Sequence, residues 1–359
     1  MDYPKPNDLV YLNTAACGLV SEAIAAPGMA FYQDLSKGSS VAEHWRDEFS
    51  VKIRANIARF LNAPEANIAM IPCFSQGINA VVQSLKGSEK ILLYEWDYPS
   101  LVNPFKVNNF DISWLSSGDD FTINPQSVAE KIAGGAIDIF AISHVQWMSG
   151  ALADLQSIIN ICHRHQVLVV VDTTQSLGAE PVNIGELKPD VLISSNYKWM
   201  NAGFGTGIMY LSDNFLAQYP PVYGGVHSYV FEGGQEIRKP SALDYEPGHL
   251  NMAGFSILDA AIGHKLETGV DNITRHNHQL TTLFIEQCPE LPVTLIGPAD
   301  MQNRSAIVVL KDEAGLGQWL VNNGFVVTLR NNTIRLSFHE HNTEEDVQKL
   351  IHCIQNKKH

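Results

Sequence analysis

The sequence predicts an α/β fold: a mostly parallel sheet covered by helices, followed by a smaller α+β unit. Three observations carry this. Between residues 68 and 211 short, almost wholly apolar runs recur, the clearest being Val167-Leu168-Val169-Val170-Val171; such runs are buried on both faces, as strands of a helix-covered parallel sheet are. Helical patterns alternate with them, which argues against a sandwich. From about residue 251 the texture changes to two long helical patterns, three strands and a terminal helix.

Taken in order, residues 9–12 read as a strand running into Asn13-Thr14-Ala15-Ala16-Cys17-Gly18, small residues that let a backbone approach something closely. A long helical pattern covers 21–61, with Pro27 near its start. Residues 68–71 form a strand that turns into a helix over 77–85. Strands follow at 90–94, 138–142, 167–171, 191–193 and 207–211. The stretch from Gly224-Gly225 through Gly233-Gly234 reads as a loop, either connection or flap. Helices are expected over 253–268 and 271–288, strands over 305–310, 325–329 and 333–338, and a last helix over 343–354. That helix opens with the capping pattern Asn342-Thr343-Glu344-Glu345.

Composition narrows the function. The 359 residues are 45% hydrophobic and 17% charged, as in an ordinary globular protein, and too many for one small core. The net charge of -14, from 38 acidic against 24 basic residues, argues against a nucleic-acid partner, because phosphate backbones need a concentrated basic surface. Five widely spaced cysteines without a CxxC pair suit a reduced protein with no disulfide framework and no cysteine metal site. No apolar run reaches the roughly 18–20 residues of a membrane span, and no signal-like segment opens the chain. No membrane partner is expected, and the cytoplasm is the expected location.

Three neighbourhoods carry chemistry. The strand 167–171 ends in Asp172, and strand C-terminal ends face the ligand crevice in such sheets. A carboxylate at the edge of a low-dielectric core needs a positive partner. After the next strand comes Ser195-Asn196-Tyr197-Lys198-Trp199. A lysine between two aromatics can have its amine pKa lowered by desolvation, as a nucleophilic amine requires. Third, Cys73-Phe74-Ser75-Gln76-Gly77 forms a strand-to-helix turn whose free amides and dipole suit a phosphate. Carboxylate, amine and anion cradle in one order along one sheet are the parts that pyridoxal phosphate requires.

Other signals are weaker. The pairs His163/His165 and His276/His278 fall in helical patterns, where that spacing splays them apart. His339/His341 follows a strand but lacks a carboxylate or cysteine at metal-ligand spacing, so no metal is expected. A dinucleotide fingerprint fails, because Ile208 occupies the third glycine position after Gly203 and Gly205.

The chain resembles the class V aminotransferase family of pyridoxal-phosphate enzymes, which contains cysteine desulfurases, selenocysteine lyases, kynureninases and isopenicillin N epimerases. Asp172-Thr173-Thr174-Gln175-Ser176-Leu177-Gly178 looks like the family's aspartate segment. Asn196-Tyr197-Lys198-Trp199 followed by Gly203-Phe204-Gly205-Thr206-Gly207 looks like its lysine segment. The likeness runs from Val10 to His339. It implies a fold-type I enzyme with a large domain over 20–250 and a small domain made of 1–19 and 251–359.

By role, the resemblance implies that Lys198 holds the cofactor covalently and shuttles the substrate α-proton, while Asp172 pairs with the pyridine nitrogen. Gln175 would reach the phenolic oxygen, Tyr98 would stack on the ring, and Ser75, Gln76, Ser195 and Tyr197 would hold the phosphate. His144 and Gln146 would line the cofactor's other edge. Arg335 matches the arginine that grips the substrate α-carboxylate, with Arg330 a second candidate and Asn13 also at the substrate. His249, where the family usually has a threonine, would face the phosphate of a neighbouring subunit in a homodimer with shared active sites. The expected activity is deprotonation of a small amino acid at Cα, leading to lyase, epimerase or aminotransferase chemistry. The alternatives are cysteine desulfurase or selenocysteine lyase chemistry and a non-catalytic binding protein. Desulfurases carry a nucleophilic cysteine on a loop between the last small-domain strands; here that interval is Arg330-Asn331-Asn332-Thr333, with no cysteine between Cys288 and Cys353. Trp147 stands where desulfurases usually have an asparagine.

Overall fold

The computed structural model describes residues 3–4, 9–38, 48–118, 121–222, 224–225, 228–238 and 241–357. The chain enters through a short strand, β1 (Val10–Tyr11), and then builds the central sheet. Its strands are β2 (Ile68–Ile71), β3 (Lys90–Tyr94), β4 (Asp111–Leu115), β5 (Ile139–Ser143), β6 (Leu168–Asp172), β7 (Val191–Ser195) and β8 (Gly207–Leu211). They lie in the order β2-β8-β7-β6-β5-β3-β4. Pairings from β4 to β7 are parallel, whereas β8 runs antiparallel to both β7 and β2. The apolar runs are buried along their whole length in β2, β5, β6, β7 and β8. Two large apolar clusters cover the sheet's faces on the side of β3, β5 and β6: one includes Ile78, Leu101 and Phe105, the other Val128, Ile158 and Ile159.

β4 has no counterpart in the sequence reading. It is an edge strand, only partly buried, and its Asp-Ile-Ser-Trp-Leu lacks the unbroken apolar character of the interior strands. The single helix expected over 21–61 is at least two helices, Glu22–Leu35 and Ser50–Leu61. Residues 39–47 between them lie outside the described residues. The glycine-rich stretch after Gly224 is not simply a loop: β9 (Tyr229–Glu232) and β10 (Gln235–Arg238) form a hairpin turned by Gly233 and Gly234, both at positive φ. Val226 and His227 of that stretch are outside the described residues.

After residue 251 come the helices Met252–Thr268 and Val270–Ile285, then a four-stranded antiparallel sheet. Its strands are β11 (Leu295–Ile296), β12 (Ile307–Lys311), β14 (Thr328–Arg330) and β15 (Thr333–Ser337), in the order β11-β12-β15-β14. The strand expected over 325–329 is divided, because Phe325–Val326 forms β13 and pairs with β1 instead. Val10 and Leu12 thereby join the apolar cluster of Phe284, Leu320, Leu336 and Phe338. The last helix, Glu344–Gln355, is capped by a reciprocal Thr343–Asp346 pair rather than by Asn342 and Glu345. Asn342 instead accepts from the His339 N–H and donates to the Tyr11 carbonyl. Among the described residues no helix is long and apolar enough to cross a membrane.

Candidate active site

Parallel strands that end together leave their last side chains at one edge. Ser143 at the end of β5 is paired with Asp172 at the end of β6, and Ser195 closes β7 beside them. Asp172 is 5% exposed, and among the described residues no cation lies within 4 Å of its carboxyl. The Thr174 N–H donates to it at 2.8 Å. Burial pushes the Asp172 carboxyl up to about 7; the Thr174 bonds pull it down, nearby Asp97 pushes it up and Lys198 pulls it down.

Lys198 rises opposite. Its Nζ lies 5.6 Å from the ring centroids of both Tyr98 and Tyr197. Desolvation, then the Arg335 charge, lowers its amine to about 8 against the opposing pull of Asp172. The loop carrying Lys198 is tied on all sides. Gly18 N–H donates to the Tyr197 carbonyl at 2.8 Å, Trp199 Nε1–H to Gln175 Oε1 at 2.8 Å, and Gln175 Nε2–H to the Ala15 carbonyl at 3.0 Å.

The anion cradle lies at the start of the helix Phe74–Ser84. Phe74 N–H donates to Ser195 Oγ at 2.8 Å, and Ser195 N–H to Thr174 Oγ1 at 3.1 Å. Among the described residues the Ser75 and Gln76 N–H groups have no acceptor, as expected of a first helical turn. A cavity of about 160 Å³ brings together Ser75, Tyr98, Asp172, Gln175, Ser195, Tyr197 and Lys198, with Cys73 and Trp147 also on its wall.

The other candidates lie elsewhere. Gln76 and His249 line a second, more open recess of about 550 Å³ along the same helix. Gln146 does not face the first cavity; its amide donates to Asp97 Oδ2 and to the Ser143 carbonyl, both at 3.2 Å. His144 is buried, its Nδ1 has no partner among the described residues, its imidazole is lowered to about 4 by desolvation, and it too is absent from the cavity wall. Neither residue lines this cavity: Gln146 is tied to Asp97 and Ser143, and His144 is buried beside them. Asn13 accepts from Thr328 Oγ1 at 2.6 Å, at the base of the β14–β15 hairpin. Arg330 and Arg335 line a small cleft of about 30 Å³ with Trp147, which also borders the first cavity. Among the described residues no group of histidine, cysteine, aspartate and glutamate could hold a metal ion.

Asp97 was not singled out by its sequence, though it adjoins Tyr98. It is buried and accepts from Ser143 N–H at 2.9 Å, Ser143 Oγ at 2.5 Å and Tyr98 N–H at 2.7 Å. Burial pushes its carboxyl up despite those bonds. It thus fixes Tyr98 over the cavity and bears on Asp172. Only the neighbouring tyrosine pointed to it, since its partners are 46 and 49 positions away.

Similar proteins match the chain over nearly its whole length. A probable cysteine desulfurase from Pyrococcus abyssi is 23% identical over 381 residues, covering 98% of this chain and 94% of that one. A cysteine desulfurase from Salmonella dublin is 24% identical over 375 residues, with coverage of 96% and 92%. These descriptions favour the sulfur-removing alternative over the broader lyase, epimerase or aminotransferase reading. Among solved structures, the apo form of a cysteine desulfurase from Thermococcus onnurineus NA1 superposes with a TM-score of 0.87 at 21% identity, covering 98% and 95% of the two chains. A cystine C–S lyase in complex with cysteine persulfide superposes with a TM-score of 0.89 at 18% identity, covering 99% of each. Those likenesses establish the expected fold, fold type I. The family model for class-V aminotransferases matches residues 10–315, and the chain belongs to that family.

Proposed function

We propose that this chain is a pyridoxal-phosphate enzyme that cleaves the Cβ–S bond of a cysteine-type amino acid. The observation that carries the proposal is Lys198, a buried amine held near neutrality between two tyrosine rings and facing a buried carboxyl. The surroundings fit the cofactor. Among the described residues Asp172 has no cation within 4 Å and suits a protonated ring nitrogen, while the Ser75 and Gln76 N–H groups, which have no acceptor there, and the Ser195 hydroxyl suit the phosphate. Tyr98, on the same cavity wall, would stack on the ring, and Gln175 keeps one amide hydrogen beyond its bond to Ala15.

Bound pyridoxal phosphate supplies the sink for the electron pair released at Cα. The chain's residues do the rest. Asp172 would hold the ring-nitrogen proton of the bound group. Arg335, whose buried Nε has no partner among the described residues, orients the α-carboxylate. Lys198, with its amine near 8, removes the α-proton and holds it on Nζ. The sulfur departs with the Cβ–S electron pair and takes up a proton. Overall, R–S–CH2–CH(NH3+)–COO− and water give RSH, pyruvate and ammonium.

The β14–β15 hairpin favours sulfur leaving on its own substituent. Arg330 pairs with Thr333, and Asn331 and Asn332 both have left-handed φ, 48° and 57°. A two-residue turn of that kind carries no mobile nucleophile into the cavity. A second reading, transfer of sulfur to an enzyme cysteine, draws on the names of the relatives and on Cys73 at the cavity wall. We further propose a cytoplasmic homodimer in which Gln76 and His249 face the partner's phosphate across the second recess.

Product analysis tests this. The protein loaded with pyridoxal phosphate and given L-cysteine and S-substituted cysteines should release pyruvate and ammonium. Alanine together with a persulfide on Cys73 would establish the second reading. No cofactor absorbance, and no borohydride-fixed label on Lys198, would leave the non-catalytic alternative.

A further inference from the structure

Arg335 is not alone. In the β14–β15 pair Thr328 faces Arg335 and Arg330 faces Thr333. Directly opposed residues, and residues two apart on one strand, share a face, so both guanidinium groups stand on the side that carries the small cleft. Neither has a carboxylate within 4 Å among the described residues. Arg335 donates to the Trp147 carbonyl at 3.2 Å, and its buried Nε has no partner among the described residues. Arg330 lies over the Trp147 ring, 4.8 Å from its centroid, and its guanidinium makes no hydrogen bond among the described residues. Burial and then the Arg330 charge lower Arg335 to about 10. Two cations placed side by side without a counter-ion destabilise one another unless an anion joins them.

Their order along the site is fixed by their neighbours. Arg335 acts electrostatically on Lys198, and Arg330 on Arg335. Tyr98 covers Lys198, Trp147 meets Tyr98 edge-on at 5.4 Å, and Arg330 lies beyond Trp147. Arg330 is therefore the outer cation, one ring further from the amine.

Resting on the C–S cleavage reading above, we propose that Arg330 is a specificity residue. It binds a second carboxylate carried beyond the sulfur, while Arg335 holds the α-carboxylate. The substrate class is then a thioether- or disulfide-linked amino acid with two carboxylates, in preference to cysteine itself.

The test uses the cofactor-loaded protein and two ligands of one shape, S-carboxymethyl-L-cysteine and S-carbamoylmethyl-L-cysteine, which differ by a single charge. Turnover gives kcat/KM for each, and calorimetry gives each affinity. The wild type should favour the carboxylate by about tenfold, the size of one partly exposed charge-assisted pair. In Arg330→Gln that ratio should fall close to one, and Arg330→Lys should restore part of it. Equal handling of the two ligands by the wild type, or a preference that survives in Arg330→Gln, would overturn the assignment. If neither ligand is cleaved, C–S cleavage fails as the reaction, and the calorimetric ratio still decides the subsite.

Discussion

Two opposed fields meet at Lys198. Burial and the Arg335 charge favour the free amine, whereas Asp172 favours the ammonium, and the first pair prevails. An ordinary lysine titrates near 10.4, so at neutral pH the free-amine fraction here is raised by about two orders of magnitude for a shift to about 8. The rate at which the apoprotein takes up pyridoxal phosphate covalently should therefore rise with a midpoint near pH 8. Removing a neighbouring cation stabilises an ammonium, so Arg335→Met should move that midpoint upward. Removing a neighbouring anion does the reverse, so Asp172→Asn should move it downward. Stopped-flow absorbance across pH 6 to 11 reads all three, and a wild-type midpoint above 10 would contradict the field described. Lys198→Ala should abolish covalent uptake and remove a proton carrier that contributes about 10²–10⁴ to the rate; full turnover in that variant would exclude Lys198 as the proton carrier.

The elements matter because they carry these residues to one place. Asp172 and Lys198 were legible in the sequence because each follows an unbroken apolar strand, and such strands end where a crevice opens. Asp97 was not, because its value comes from contacts with Ser143 and Gln146 that no local pattern encodes, and Trp147, noted for its position, gains its place from Arg330, which lies over its ring. β4 went unread because an edge strand needs fewer apolar residues, and the hairpin after Gly224 because its turn glycines look like loop. The small residues of the entry segment serve a close approach of backbones. Gly18 donates to the Tyr197 carbonyl, and a methyl on its Cα would run into the Lys198 carbonyl oxygen. Gly18→Ala should therefore push the lysine loop away from Asp172. Its cofactor affinity should fall about tenfold or more, for a backbone clash of 1–3 kcal/mol. Fluorescence titration with pyridoxal phosphate measures this; wild-type affinity would mean that the loop yields without moving Lys198.

At the scale of the whole molecule, the lysine loop is braced from behind by a buried polar cluster that reaches into the C-terminal unit. Lys265, fully buried on the helix Met252–Thr268, pairs with Glu340 and donates to Asn201 Oδ1 at 3.1 Å. Glu340 also bonds His264 Nε2 at 2.7 Å and the Tyr3 hydroxyl at 2.6 Å. His339 is equally buried, and its Nε2 lies 3.1 Å from the Trp199 carbonyl and 2.9 Å from Asn201 Oδ1. Desolvation and the Lys265 charge keep its imidazole neutral, so Nε2–H can donate to both. Burial alone would raise Glu340, but the His264 bond and the Lys265 charge prevail and hold its carboxyl well below the usual range. A carboxyl whose pKa is lower folded than unfolded contributes stability that is present above about pH 4.3 and lost below it, by up to about 1.4 kcal/mol per pH unit. Glu340→Gln keeps the shape and removes the ionisation, leaving Lys265 without its charge partner. The variant should be less stable at pH 7 by about 3 kcal/mol, and its stability should decline less steeply than the wild type's between pH 5 and 3. Urea unfolding at several pH values measures both. Because Asn201 and Trp199 belong to the loop that carries Lys198, cofactor affinity at pH 7 should fall in the same variant. Lost stability with unchanged affinity would mean that the cluster braces the C-terminal unit alone.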